Sequence, residues 1–306
     1  MTRIRLGTRA SALAIWQANW VTTQLENNGH SVEIVNITTS GDTHSIPLGV
    51  GSGQGVFTKE IQRAVLDGRV DLAVHSLKDL PTEPIEGLQL IAVPRRASNL
   101  DCLVSSKYWS LADLPRQAKV GTGSARRLAQ LLHERPDLDI QNIRGNVGTR
   151  LSKLDDGEFD AILLAEAGLR RLGFDDRIRE IFPPRRITPA VGQGALGLEI
   201  READQCTADV VQALDDLDTH AAIRAERTML RHLRGGCLAP VGGWARIEQG
   251  RLVLLGVVCS LGGEQRLRIE ADADISDARS LGEEVARQLK SLGSDRLLAE
   301  ARGENS

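Results

Sequence analysis

Six arginines of this chain stand beside glycine turns or just beyond them, and that placement is the first chemistry the sequence offers. Arg9 lies in Gly7-Thr8-Arg9-Ala10-Ser11, and Arg126 and Arg127 close Gly121-Thr122-Gly123-Ser124-Ala125-Arg126-Arg127. Arg144 and Arg150 bracket Arg144-Gly145-Asn146-Val147-Gly148-Thr149-Arg150, and Arg171 follows. Each segment comes after a short β-like run and leads into helix-like sequence, where free backbone N–H groups and the helix dipole favour anions. A guanidinium adds a planar fork of donors that matches carboxylate or phosphate and keeps its charge at any working pH. Several such clusters in one chain point to a ligand with many negative groups.

Two other places carry reactive side chains. His75-Ser76-Leu77-Lys78-Asp79-Leu80-Pro81 sets a lysine and a carboxylate at the C-terminal end of an apolar strand, the edge at which doubly wound sheets bind ligands. The same spacing suits a solvated Lys–Asp pair. Cys237 follows two glycines and precedes Leu238-Ala239-Pro240, a loop setting open to partners, and Arg234 nearby favours its thiolate. Cys102 and Cys259 sit in apolar strand-like runs and read as packing residues, while Cys206 lies in a polar connection. The four cysteines show no Cys-x-x-Cys spacing and the six histidines are scattered, so no metal site is expected. Gly192-Gln193-Gly194-Ala195-Leu196-Gly197 matches a dinucleotide fingerprint, yet it follows a proline joint and enters a strand, so the context fails. The loop Gly49–Gly55 has no Gly-Lys-Ser/Thr after it and reads as a lid.

These groups must be held by a folded scaffold. With 306 residues, 41% hydrophobic and 26% charged, the chain can build two or three cored domains. The 32 arginines against six lysines are explained by base composition, which leaves position as the evidence. A net charge of −3 and nine aromatics argue against a nucleic-acid partner. Gln17 and Asn19 interrupt any signal-like apolar stretch, and Leu252–Leu261 is too short to span a bilayer, so a cytoplasmic protein is expected.

Strands are expected at 3–8, 32–38, 70–75 and 90–93, with helices from the Ser11 cap to about Asn27 and over 58–66. A second strand–helix series runs through 102–105, 119–121, 139–143 and 161–165, with helices after Ser124 and Thr149. Pro183-Pro184 and Pro189 mark a joint, after which 197–200 reads as a strand returning to the first sheet. Beyond Leu217 come a helix through 224–233, strands at 243–247, 252–259 and 265–271, and a helix over 277–292. The class is α/β, with largely parallel sheets and a small α+β C-terminal part.

Taken together, the segments resemble the porphobilinogen deaminase (hydroxymethylbilane synthase) family along essentially the whole chain. The matching stretches are Gly7-Thr8-Arg9-x-Ser11-x-Leu13-Ala14, His75-Ser76-Leu77-Lys78-Asp79, Gly121-Thr122-x-Ser124-x-Arg126-Arg127, Arg144 through Leu151, Ala190 through Ala195, and Gly235-Gly236-Cys237. The resemblance implies two domains built like type II periplasmic binding proteins, 1–95 with about 195–213 and 99–189, and a third, 217–306, that carries a covalent cofactor. It implies an enzyme that joins four porphobilinogen molecules head to tail with loss of ammonia, giving hydroxymethylbilane for haem-type biosynthesis; no obvious interface stripe argues for more than a monomer. Asp79 would be catalytic, stabilising the cation that develops on a pyrrole nitrogen. Cys237 would anchor a dipyrromethane through a thioether, with Lys78, Ser124, Arg126 and Arg127 on its side chains. Arg9, Ser11, Arg144, Arg150 and Arg171 would hold the incoming ring or growing chain, and Gln193 a hinge or site wall.

Two departures from the family pattern stand out. The lid reads Ser52-Gly53-Gln54-Gly55 where Gly-Gly-Lys-Gly is common, and Val50 replaces a commonly basic position, although Phe57 and Lys59 remain. Gly123 replaces a serine ahead of Ser124. A ligand-binding protein without chemistry, or an inactive relative with an altered lid, would share the scaffold and stay open on these residues alone.

Overall fold

A computed structural model describes residues 2–39, 58–236 and 239–304. The chain forms two compact units, Met1–Ala97 with Ala195–His220, and Ser98–Gly194 with Ala221–Ser306.

In the first unit, β1 (Arg3–Thr8) alternates as the sequence predicts, burying Ile4 and Leu6 completely. The half-exposed Arg5 forks onto Asp71, with Nη2 2.6 Å and Nε 3.0 Å from its carboxylate oxygens. Ser11 then caps α1 (Ala12–Asn27), its hydroxyl accepting from the Ala14 N–H. The remaining elements are β2 (Ser31–Asn36), α2 (Lys59–Leu66), β3 (Leu72–Ser76), β4 (Leu88–Ala92), β10 (Leu196–Arg201) and α6 (Gln205–Val211). The sheet order is β2-β1-β3-β10-β4. Strands β1, β2 and β3 run parallel, whereas β10 lies antiparallel to both β3 and β4. The return of β10 to this sheet is as predicted, but the sheet is mixed rather than largely parallel. The chain re-enters the unit at Ala195, directly beside the end of β3, so its strand must run back along it.

The second unit holds two sheets. The first has the order β7-β6-β8-β5-β9, from β5 (Asp101–Val104), β6 (Lys119–Gly121), β7 (Asp139–Gln141), β8 (Ala161–Ala165) and β9 (Ile178–Ile181). Strands β6, β7 and β8 are parallel, and β5 is antiparallel to β8 and β9. Successive residues of β5 and β8 enter opposite cores: Leu103 and Leu163 join Phe182, while Cys102, Val104 and Ile162 join Ile143. Burial on both faces explains their uninterrupted apolar sequence. Helices α3 (Ala125–Glu134), α4 (Val147–Asp155) and α5 (Glu166–Arg171) follow β6, β7 and β8.

The other sheet, β11 (Val241–Glu248), β12 (Arg251–Cys259) and β13 (Arg266–Ala273), is an antiparallel meander. It packs with α7 (Leu217–His232), α8 (Ala278–Ser291) and α9 (Ser294–Arg302) around Met229, Leu254, Val285 and Leu289. Its far side touches α3, where Ala129 meets Leu255, Val257 and Cys259. The helix is fixed there by a close approach. The His133 Nδ1 lies 2.8 Å from the Gly263 carbonyl, and Gly263 holds φ at +80°.

A Cβ at Gly263 would come within 2.5 Å of the His133 backbone nitrogen. Gly263→Ala therefore meets both a left-handed backbone and a main-chain clash, and is expected to cost about 2 kcal/mol or more. That corresponds to a fall of roughly 4–8 °C in the thermal midpoint. An unchanged midpoint would mean that α3 is not seated on this turn.

Candidate active site

The first unit gathers its reactive groups at one sheet edge. Parallel β1 and β3 are neighbours, with Leu6 opposite Leu72 and Gly7 opposite Ala73, so both carboxyl ends leave on the same side. Arg9 and Ser11 follow β1. After β3 the chain makes a 3-10 turn, Leu77–Asp79, which carries Lys78 and Asp79, both half-buried.

That turn is held from three directions. The Leu77 N–H donates to the Ala195 carbonyl at 3.1 Å, and Ser76 Oγ lies 2.8 Å from the Nε2 of buried Gln17 on α1. Leu77 itself is buried, and a Cβ at Gly197 would come within 2.5 Å of its Cδ1. Gly197 is thus glycine to admit the Leu77 side chain, a role unrelated to nucleotides. Asp79 accordingly stands on a fixed backbone with solvent access, which suits a carboxylate meant to face a developing positive charge. Behind it, buried His75 faces Glu199 at 3.1 Å and Gln62 donates to the other Glu199 oxygen, an internal polar cluster that sequence spacing did not reveal.

The second unit repeats the device. Parallel strands β6 and β7 end side by side, Gly121 lying opposite Gln141, while β8 pairs with β6 through Ile162 and runs on in the same direction to Ala165. Beyond them the chain supplies Ser124, Arg144, Arg150 and Arg171. Ser124 caps α3 by accepting from the Arg127 N–H, and Asn146 caps α4 by accepting from the Thr149 N–H at 2.9 Å. Arg144 is exposed, while Arg150 is partly exposed and its Nε donates to the Gly145 carbonyl. Arg171 donates from Nη2 to the Gly194 carbonyl at 2.8 Å. Burial pushes its guanidinium down to about 10, which leaves it charged at neutral pH.

Arg126 and Arg127 depart from a simple ligand-facing picture. Both are almost fully buried and turn onto Asp101, whose carboxylate oxygens lie 2.6 Å from Arg126 Nη1 and 2.7 Å from Arg127 Nη2. Two cations against one anion leave one positive charge over, and the buried Arg126 Nε–H has no hydrogen-bond partner among the described residues. A site of this kind attracts carboxylates without the cost of building charge afresh. Burial acts to raise the Asp101 carboxyl, but both guanidiniums and the Gln193 amide outweigh it and hold it well below the usual carboxylate range.

Cys237, Val50, Gln54, Phe57 and the Gly49–Gly55 loop lie outside the described residues. On either side of Cys237, the Ala239 N–H donates to the Gly236 carbonyl at 3.0 Å. Buried Cys102 and Cys259 have their thiols pushed up to about 12 and about 11 by desolvation, whereas Cys206 is exposed. Iodoacetamide at neutral pH is therefore expected to label Cys206 in the native protein and to spare Cys102 and Cys259. Native labelling of either buried thiol, located by peptide mass, would contradict the packing described. Among the described residues no helix is long and apolar enough to cross a membrane.

Comparison with known proteins shows which family the chain belongs to. Residues 4–209 match the family model "Porphobilinogen deaminase, dipyromethane cofactor binding domain", and residues 220–291 match "Porphobilinogen deaminase, C-terminal domain". The porphobilinogen deaminase of Syntrophotalea carbinolica is 46% identical over 299 residues, covering 97% of this chain and 95% of that protein. That of Geobacter sulfurreducens is 44% identical over 303 residues, covering 98% and 95%. A solved ABC transporter periplasmic substrate-binding protein from Coxiella burnetii aligns with a TM-score of 0.45 at 17% identity, over 69% of this chain and 91% of that one. With matches at this identity along nearly its full length, the chain belongs to the porphobilinogen deaminase family.

Proposed function

We propose that this protein is the transferase that condenses four porphobilinogen molecules head to tail, releasing ammonia and forming hydroxymethylbilane for tetrapyrrole biosynthesis. The observation that carries the reading is the set of cations at the carboxyl edge of the second unit's sheet, with one net positive charge buried among them. Each porphobilinogen brings an acetate and a propionate, so a growing chain accumulates the groups that such a site binds. The reading keeps three domains, 1–95 with about 195–213, 99–189 and 217–306. It carries with it a cytoplasmic monomer acting on a small molecule, with neither nucleic acid nor membrane as partner.

Dipyrromethane, when bound, supplies the nucleophilic pyrrole carbon from which the polymer extends. The donor set fits it: the surplus buried charge, the unpartnered Arg126 Nε–H and the Ser124 hydroxyl all suit its acidic arms. Cys237 holds it through a thioether, and Lys78, Arg126 and Arg127 neutralise its carboxylates. Arg9, Ser11, Arg144, Arg150 and Arg171 orient the substrate side chains and the lengthening product. Asp79 faces the substrate pyrrole nitrogen. Its protonated form assists the departing amine, and its ionised form stabilises the cation left on the ring. Its fixed turn supplies the orientation on which both effects depend.

Intact mass under denaturing conditions should exceed the sequence mass by two condensed pyrrole units, and Cys237→Ser should remove that excess. Active protein with the mass of the bare chain would refute the assignment. Asp79→Asn should keep the added mass while turnover falls by about 10²–10⁴. Near-normal turnover in that variant would show that the carboxylate is dispensable.

A further inference from the structure

Asp101 belongs to no glycine turn, and no sequence spacing singles it out. It is the first residue of β5 and is fully buried. One oxygen accepts from Arg126 Nη1 at 2.6 Å. The other accepts from Arg127 Nε at 2.9 Å, Arg127 Nη2 at 2.7 Å and Gln193 Nε2 at 2.9 Å. Four donors approach one carboxylate, about as many as its lone pairs can serve.

The partners are themselves fixed. Arg126 Nη1 also donates to the Thr188 carbonyl at 2.7 Å, and Arg127 Nη1 to the Leu163 carbonyl at 3.0 Å. Gln130 holds Thr188 from both sides, accepting from its N–H and donating to its carbonyl. Gln193 Nε2 reaches the Asn99 carbonyl at 2.7 Å. Without Asp101, two buried guanidiniums on adjacent residues of α3 would repel each other at short range in a poorly solvated region. With it, both side chains are held in one arrangement, and a single positive charge is left for a ligand.

We propose that Asp101 is a positioning residue for anion recognition: it aligns Arg126 and Arg127 as one rigid receptor for the carboxylates of the bound dipyrromethane. The inference rests on the ligand role given above to the arginine pair. Asp101 need not touch the ligand, and its effect passes through the geometry of the two guanidiniums.

Three variants separate geometry from charge: Asp101→Asn, Arg126→Gln, and the two combined. The combination replaces a buried ion pair with neutral amides and halves the uncompensated charge that threatens folding in Asp101→Asn alone, from two guanidiniums to one. It also restores the net charge of +1 that Arg126→Gln reduces to zero. If Asp101 were only a counterweight, the double variant would match or exceed Arg126→Gln. The positioning role requires the opposite. Cofactor occupancy, read by intact mass, and affinity, read as KM for porphobilinogen, should be about tenfold worse in the double variant than in Arg126→Gln. The kcat per loaded chain of the double variant should lie within about threefold of that of Arg126→Gln, as expected when the further loss is of binding rather than chemistry.

A double variant that equals or outperforms Arg126→Gln, or that fails to fold where Arg126→Gln folds, would overturn the inference and leave Asp101 a stability residue. Full occupancy and unchanged KM in Arg126→Gln would instead remove the ligand role of the pair, and the positioning inference with it.

Discussion

One buried carboxylate shared by two guanidiniums organises the second unit. Moving three charges out of water is expensive, and such a group persists only when its donors and acceptors are satisfied. Here all but the Arg126 Nε–H are met from β5, α3, β8 and the joint around Thr188 to Gln193, so each of these segments must be in place before the triad can form. The pH behaviour follows in sign. The native carboxyl of Asp101 is depressed below its ordinary 3.8, so its contribution is present above that value and fades as pH falls toward the depressed one.

The first unit applies the same architecture to a different end. Asp79 follows a parallel strand at the carboxyl edge of a mixed sheet, and it is half-buried rather than enclosed. The turn is fixed by Leu77 filling the space that Gly197 leaves, and by the Gln17–Ser76 hydrogen bond from α1. A group meant for chemistry gains from rigid backbone with a free side chain. A group meant for recognition gains from immobilised side chains. The two edges divide along that line.

Much of this was legible because it is local. Ser11 and Ser124 announce helix starts through their own hydroxyls, and the alternation of Ile4 and Leu6 announces a half-buried strand. The apolar runs at β5 and β8 could be read as strands. What escaped the sequence depends on long-range pairing. The antiparallel insertion of β10 is set by where the chain re-enters its unit, and no periodicity records that. The short β9 reads Ile-Arg-Glu-Ile, with Glu180 accepting from the Leu111 N–H and from Arg186, so its polar residues are tied to distant segments. Asp101 looked like an unremarkable acid at the head of an apolar strand. The arginines on which it acts lie 25 and 26 residues away in sequence.

The glycine pattern at 192–197 shows how a misleading local signal resolves into physics. Gly192 and Gly194 adopt φ of 74° and 83°, a left-handed backbone that other residues enter at a cost, and Gly197 admits Leu77. The turn they build directs the Gln193 amide onto Asp101 and the Gly194 carbonyl onto Arg171. Three of the six arginines singled out by sequence therefore converge on this joint, two through Asp101 and one directly. The glycines serve the cation cluster by shaping the backbone that holds it, which explains why a fingerprint associated with phosphate binding occurs where no helix begins.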